Sequence, residues 1–135
     1  MAKIVNLSEA ASLAIHSMVL IAKTKSHINV NRLAEEIGAS RNHLAKIMQQ
    51  LVKYGYLRSV RGPNGGFVLN MPAEDISILD IYEAIEGKIT IHDDCPLDRQ
   101  VCPFDKCLMS GVVKDVTMQF KDYFDKNKLS DFMKN

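Results

Sequence analysis

The 135 residues are 47% hydrophobic and 24% charged, an ordinary globular composition that excludes a disordered chain and supplies about one domain's worth of core. The N-terminal stretch lacks a charged region followed by an apolar run and a cleavage site, and Ser12, His16 and Ser17 interrupt the longest apolar stretch. Neither a signal peptide nor a membrane span is predicted, and the expected location is the cytoplasm.

A net charge of +1 conceals an asymmetry. Between Ile37 and Ala73 there is no Asp or Glu, while Arg41, Lys46, Lys53, Arg58 and Arg61 contribute +5; from Glu74 onward 13 acids face 8 bases, a net of −5. The basic part is expected to meet a polyanion.

In chain order, Ser8 is placed to cap a first helix, with Glu9 in its first turn where a carboxylate suits the helix dipole. The following residues, Ala10 to Ala22, are apolar nearly all round, so that helix should be buried on most sides. In so small a domain this predicts cover from a second subunit as well as from its own. His16, a lone histidine on that helix, is assigned no role.

Val30, Leu33, Ala34 and Ile37 lie on one face of a short helix that ends at Gly38. Ser40 caps a second helix whose apolar face is Leu44, Ile47, Met48 and Leu51, and Gly55 closes it. The pair reads as a helix-turn-helix. Ser40, Arg41, Asn42, His43 and Lys46 occupy the start of the second helix, away from the apolar face, where side chains reach base edges and phosphates of the major groove.

Two short strands follow, Tyr56 to Val60 and Gly66 to Leu69, joined by Arg61-Gly62-Pro63-Asn64-Gly65. This hairpin reads as a wing. Arg58 and Asn64 belong to its DNA-facing set, and Arg61 at its tip suits a narrow minor groove, whose negative potential attracts arginine.

Ser77 caps a short helix, Ile78 to Glu86, with Ile78, Ile81, Tyr82 and Ile85 inward, and Gly87 ends it. A final helix is predicted from Asp105 to about Asp125, roughly 30 Å long at 1.5 Å per residue. Its stripe of Leu108, Val112, Val116, Phe120 and Tyr123, widened by Val113 and Phe124, is expected to dimerise the chain. A palindromic operator requires two recognition helices about 34 to 36 Å apart. Leu129 to Met133 reads as a short packing segment. The organisation expected is a DNA-binding region over 1–86, a cysteine loop over 87–107, and a dimerisation helix with terminal segment over 105–135. The fold class is mainly α with a small β-hairpin wing, a winged helix-turn-helix plus a long C-terminal dimerisation helix.

All three cysteines lie between the hairpin and that last helix, as Cys95-x6-Cys102-x4-Cys107. An odd count in a reducing compartment points to metal or redox chemistry. Thiolates are soft ligands suited to zinc or to an iron-sulfur cluster, and gaps of six and four fit a larger object than the tight Cys-x2-Cys knuckle typical of structural zinc. Three cysteines leave one position for a different ligand. A zinc or thiol site of purely structural purpose stands as the alternative. An enzyme is not expected: no His, Asp and Glu appear at catalytic spacing, and Asp93, Asp94, Asp98 and Asp105 read as a solvated rim.

The stretches Ser40-Arg41-Asn42-His43-Leu44-Ala45-Lys46-Ile47 and Ser59-Val60-Arg61-Gly62-Pro63-Asn64-Gly65-Gly66-Phe67, with the cysteine triplet after them, resemble the dimeric winged-helix iron-sulfur repressors. That family includes the nitric-oxide-sensing repressor NsrR and the cluster-biogenesis regulator IscR. The resemblance covers nearly the whole chain. It implies a homodimeric repressor on a palindromic double-stranded operator, controlled by a 2Fe-2S or 4Fe-4S cluster on Cys95, Cys102 and Cys107. In NsrR-like members an acidic residue from the other subunit completes the site, and Glu9 matches it. Ser110 stands where IscR has a ligand histidine, and Ala45 where IscR has a glutamate that discriminates operators. The resemblance therefore lies on the NsrR side, which implies nitric oxide as the signal; an IscR-like response to iron, cluster supply or redox state is the alternative.

Overall fold

A computed structural model describes residues 1–3, 5–90, 102–109 and 111–133. The elements run α1 (Glu9–Lys23), α2 (Val30–Ile37), α3 (Arg41–Lys53), β1 (Leu57–Val60), β2 (Gly66–Leu69), a 3-10 turn (Ala73–Asp75), α4 (Ile78–Glu86), α5 (Val112–Lys126) and a second 3-10 turn (Leu129–Phe132). The fold is mainly helical with one antiparallel hairpin, in the register Leu57 opposite Leu69 and Val60 opposite Gly66.

The helix starts follow from their caps. The Ser8 hydroxyl accepts from the Ala11 N–H at 3.0 Å, the Asn29 side chain from Arg32 at 2.8 Å and Ser40 from His43 at 3.4 Å. Ser77 and Asp80 exchange bonds in a capping box at the start of α4. α2 stops because Gly38 takes φ +74°, a left-handed conformation that turns the chain into α3.

α1 packs against α4, α3 and α2, burying Ala11, Ala14, Ser17, Met18, Ile21 and Ala22. Of these, Ala14, Met18, Ile21 and Ala22 join Leu33, Leu44, Met48, Leu51, Leu57, Ile76 and Ile81 in one continuous core. α1 is less enclosed than its apolar sequence predicts. Leu13, Ile15, Val19 and Leu20 are only half-buried and His16 is exposed, its Nδ1 2.7 Å from the Ser12 carbonyl oxygen.

Two isolated bridges tie distant segments to this frame. Ile28, just before α2, exchanges backbone bonds with Phe67 of the hairpin at 2.9 and 3.2 Å. At the C-terminus Leu129 donates to Ile76 and Ile78 to Asn127, both at 2.9 Å, and Leu129 is fully buried.

α5 departs from expectation. It begins at Val112, not Asp105, because Gly111 takes φ +78° and Val112 N–H closes a turn onto Met109. Its 15 residues span about 22 Å. Leu108 lies outside the helix and is exposed. The remaining stripe divides in two. Phe120 and Phe124 face α4 and meet Tyr82 edge-on at 5.5 and 5.9 Å, whereas Val112, Val116 and Tyr123 face solvent.

Candidate functional site

The helix-turn-helix builds one face from residues whose neighbours are core. Leu44, Ile47, Met48 and Leu51 of α3 are buried, so the intervening positions must point outward: Arg41, Asn42 and Lys46 are exposed, while His43 is half-buried. Ser40 spends its hydroxyl on the cap of α3.

The hairpin projects from the same frame. Arg58 on β1, opposite Val68, is exposed, as are Arg61 and Asn64 at the tip. The tip is a glycine-dependent turn: Gly62 has φ +115°, and a Cβ at Gly65 would stand 2.4 Å from the Val60 carbonyl oxygen. Among the described residues, none of Arg41, Lys46, Lys53, Arg58 and Arg61 forms an ion pair, although Arg32 pairs with Glu36 and Lys88 with Glu83. Uncompensated positive charge on a protruding helix and hairpin is an electrostatic footprint for a polyanion.

The cysteines stand apart from the hydrophobic core. Cys102 is half-buried and Cys107 exposed, whereas Cys95 lies outside the described residues. Among the described residues no group of three or more His, Cys, Asp and Glu side chains gathers closely enough to hold a metal ion. The donor chemistry nevertheless fits a thiolate-held cluster, since two of the thiols lie outside the packed interior on a segment free of regular secondary structure.

Glu9 is exposed at the start of α1, with Oε1 4.0 Å from Nδ1 of His43. The adjacent Ser8 hydroxyl donates to Glu86, the last residue of α4. The N-terminus of α1 therefore touches both the recognition helix and the point where the chain leaves α4 for the cysteines.

Sequence reasoning missed the groups around that exit. Glu83 Oε2 accepts from the Ile89 N–H at 2.7 Å, and Lys121 of α5 donates to the Ile89 carbonyl at 3.4 Å. Gln50 of α3 donates to the Ala84 carbonyl at 2.7 Å. Burial, then the carboxylates of Asp80 and Glu83, keep the nearby Tyr56 hydroxyl protonated above its usual range. No spacing rule marks these residues, because Lys121 and Ile89 are 32 positions apart and Gln50 and Ala84 are 34 apart.

No helix among the described residues is long and apolar enough to cross a membrane. Three comparisons place the chain among known proteins. It is 30% identical to the HTH-type transcriptional regulator NsrR of Bacillus subtilis (strain 168) over 108 residues, 79% of this chain and 74% of that protein. The fold resembles that of CymR, the global cysteine regulator of B. subtilis, with TM-score 0.79 at 21% identity over 96% of this chain and 97% of that one. T. potens IscR is similar at TM-score 0.76 and 23% identity, covering 96% and 86% of the two chains. These relatives are transcriptional regulators, not enzymes. Residues 7–135 match the Rrf2 family of iron-dependent transcriptional regulators, and with its winged helix-turn-helix and uncompensated basic face this chain belongs to that family of DNA-binding proteins.

Proposed function

We propose that the protein is a homodimeric repressor that binds a palindromic operator and whose affinity is set by an iron-sulfur cluster sensitive to nitric oxide. The observation that carries this reading is the pairing, in one small chain, of an uncompensated basic face with a thiol segment outside the core. Arg41, Asn42, His43 and Lys46 enter the major groove, Arg61 reaches the minor groove, and Ser40, Arg58 and Asn64 hold the flanking backbone. The greater identity to NsrR than to IscR supports the nitric-oxide signal.

Cys95, Cys102 and Cys107 supply three thiolates, and Glu9 of the partner subunit the fourth ligand. These residues would hold an iron-sulfur cluster, which would supply iron reactive toward nitric oxide. The three thiolates would hold the cluster from one subunit, and the carboxylate of Glu9 would hold it from the neighbouring one. Loss of those ligands would change the setting of the two recognition helices.

The dimer uses the solvent-facing stripe of α5, Val112, Val116 and Tyr123, together with the half-covered side of α1. Between them lies an apolar groove of about 670 Å³ lined by Ile15, Val19, Leu20, Ile37, Tyr123 and Phe132, which a second copy fills.

The test is anaerobic purification followed by visible absorption, iron and sulfide analysis, and operator binding with and without nitric oxide. Brown protein with stoichiometric sulfide, released from DNA by nitric oxide, is expected, and Cys102→Ala should give a folded, colourless dimer. Colourless wild-type protein that takes up zinc instead would replace the sensor with a structural zinc or thiol site.

A further inference from the structure

The chain leaves α4 through Gly87, and the next described residues are held from two sides. The Ile89 N–H donates to Glu83 at 2.7 Å, and its carbonyl accepts from Lys121 of α5 at 3.4 Å. Glu83 is a nearly buried carboxylate, its side chain only 11% exposed, with Lys88 3.8 Å from its other oxygen. A charged acceptor so enclosed makes a stronger bond than a neutral one, and losing its donors is correspondingly costly. Ile89 is thereby fixed six residues before Cys95.

The neighbouring residue on α4, Ala84, is buried, and its carbonyl accepts from Gln50 at 2.7 Å. Gln50 belongs to α3, the helix whose first turns carry Arg41, Asn42 and Lys46. Ala84 lies in the last turn of α4, where carbonyls lack a donor within the helix, and the Gln50 amide supplies one, so a shift of the α4 C-terminal turn is passed directly to α3. The Ser8–Glu86 bond ties the same turn to α1 instead.

We propose that Glu83 and Gln50 are positioning residues that transmit the state of the cysteine segment to the recognition helix, Glu83 by gripping Ile89 and Gln50 by gripping Ala84. The idea rests on the reading that occupancy of the cysteine segment controls DNA affinity. It adds which side chains carry that control. Neither residue is assigned to DNA or to the cluster, and the coupling runs through the α4 C-terminal turn, gripped by Glu83 toward Ile89 and by Gln50 toward α3.

The experiment perturbs the segment in two independent ways in the full-length protein: reconstitution with iron and sulfide, and carboxamidomethylation of the thiols with iodoacetamide. Operator affinity is measured before and after each, in wild type, Gln50→Met and Glu83→Met. Met keeps the length of either side chain but offers neither amide donor nor carboxylate. Circular dichroism, sedimentation and iron content confirm that each variant folds, assembles and loads.

For any treatment that shifts wild-type affinity, the shift should shrink at least about fivefold in both variants, the lower end of typical coupling between sites. Exchange of the Ile89 amide should quicken in Glu83→Met alone. Full retention of the shift in either variant overturns the proposal, as does a wild-type protein whose affinity answers to neither treatment. If iron never loads but alkylation shifts affinity through Gln50 and Glu83, the relay stands and the cluster reading falls.

Discussion

Glu9 in the first turn of α1 places Oε1 4.0 Å from Nδ1 of His43 in the first turn of α3, so the acidic residue assigned to the partner's cluster sits beside a residue assigned to DNA. Both side chains are substantially exposed, and such a pair contributes about 0–1 kcal/mol in water. Glu9→Gln should therefore alter operator affinity of the cluster-free protein by no more than about fivefold. In the loaded protein the same substitution should speed cluster loss at least about tenfold, followed by the decay of visible absorption. Unchanged decay would remove Glu9 from the ligand set.

Arg61 stands exposed at the tip of the hairpin, without an ion pair among the described residues. Arg61→Ala should cost roughly 1–3 kcal/mol of operator binding, with a greater loss on duplexes whose minor groove is narrow and A·T-rich. Fluorescence anisotropy on two duplexes across a salt series decides the matter. An equal loss on both, with a salt slope reduced by about 0.9, would mean that the guanidinium meets phosphate alone.

A Cβ at Gly66 would lie 2.4 Å from the Ile28 carbonyl oxygen, and that atom belongs to backbone that cannot rotate away. Gly66→Ala should destabilise the fold by roughly 1–3 kcal/mol, read from the midpoint of urea unfolding. A wild-type midpoint would show that the Ile28–Phe67 bridge yields readily.

Val116 is 38% exposed on the outer stripe of α5, so replacing it disturbs little within one subunit. Val116→Glu should leave helicity unchanged but convert the dimer to monomer in sedimentation velocity, with operator affinity falling as the second half-site contact is lost. A dimer that persists would place the subunit interface elsewhere.

The helical frame was legible because its punctuation is local. Ser8, Ser40 and Ser77 each sit one residue before the helix they cap, and Gly38, Gly55 and Gly87 lie just beyond helix ends with positive φ. The hairpin was legible for the same reason. α5 was not, because its apolar period continues smoothly back to Leu108 while the break at Gly111 is a single dihedral. Tyr123 and Phe124 share one sequence stripe, yet only Phe124 and Phe120 stack on Tyr82; which edge of a stripe finds a partner depends on where α4 lies. The basic cluster was readable from charge alone, and Arg41, Lys46, Arg58 and Arg61 are exposed. The Gln50–Ala84 and Glu83–Ile89 bonds were not, since each acceptor or donor is a backbone group that any residue provides.

The backbone stitch between Ile28 and Phe67 makes the hairpin a continuation of the segment that launches α2, which on the proposed reading holds the helix for the major groove and the finger for the minor groove in one reading head. On that reading the head has a fixed stencil: the span from Arg41 to Arg61 is set at folding and should be the same with the signal bound or lost. Control then works like a pair of calipers, whose jaws keep their shape while the hinge between them opens or closes. Operators separated by one base pair more or less than the preferred spacing should therefore discriminate between the two states more sharply than any change of base within a half-site.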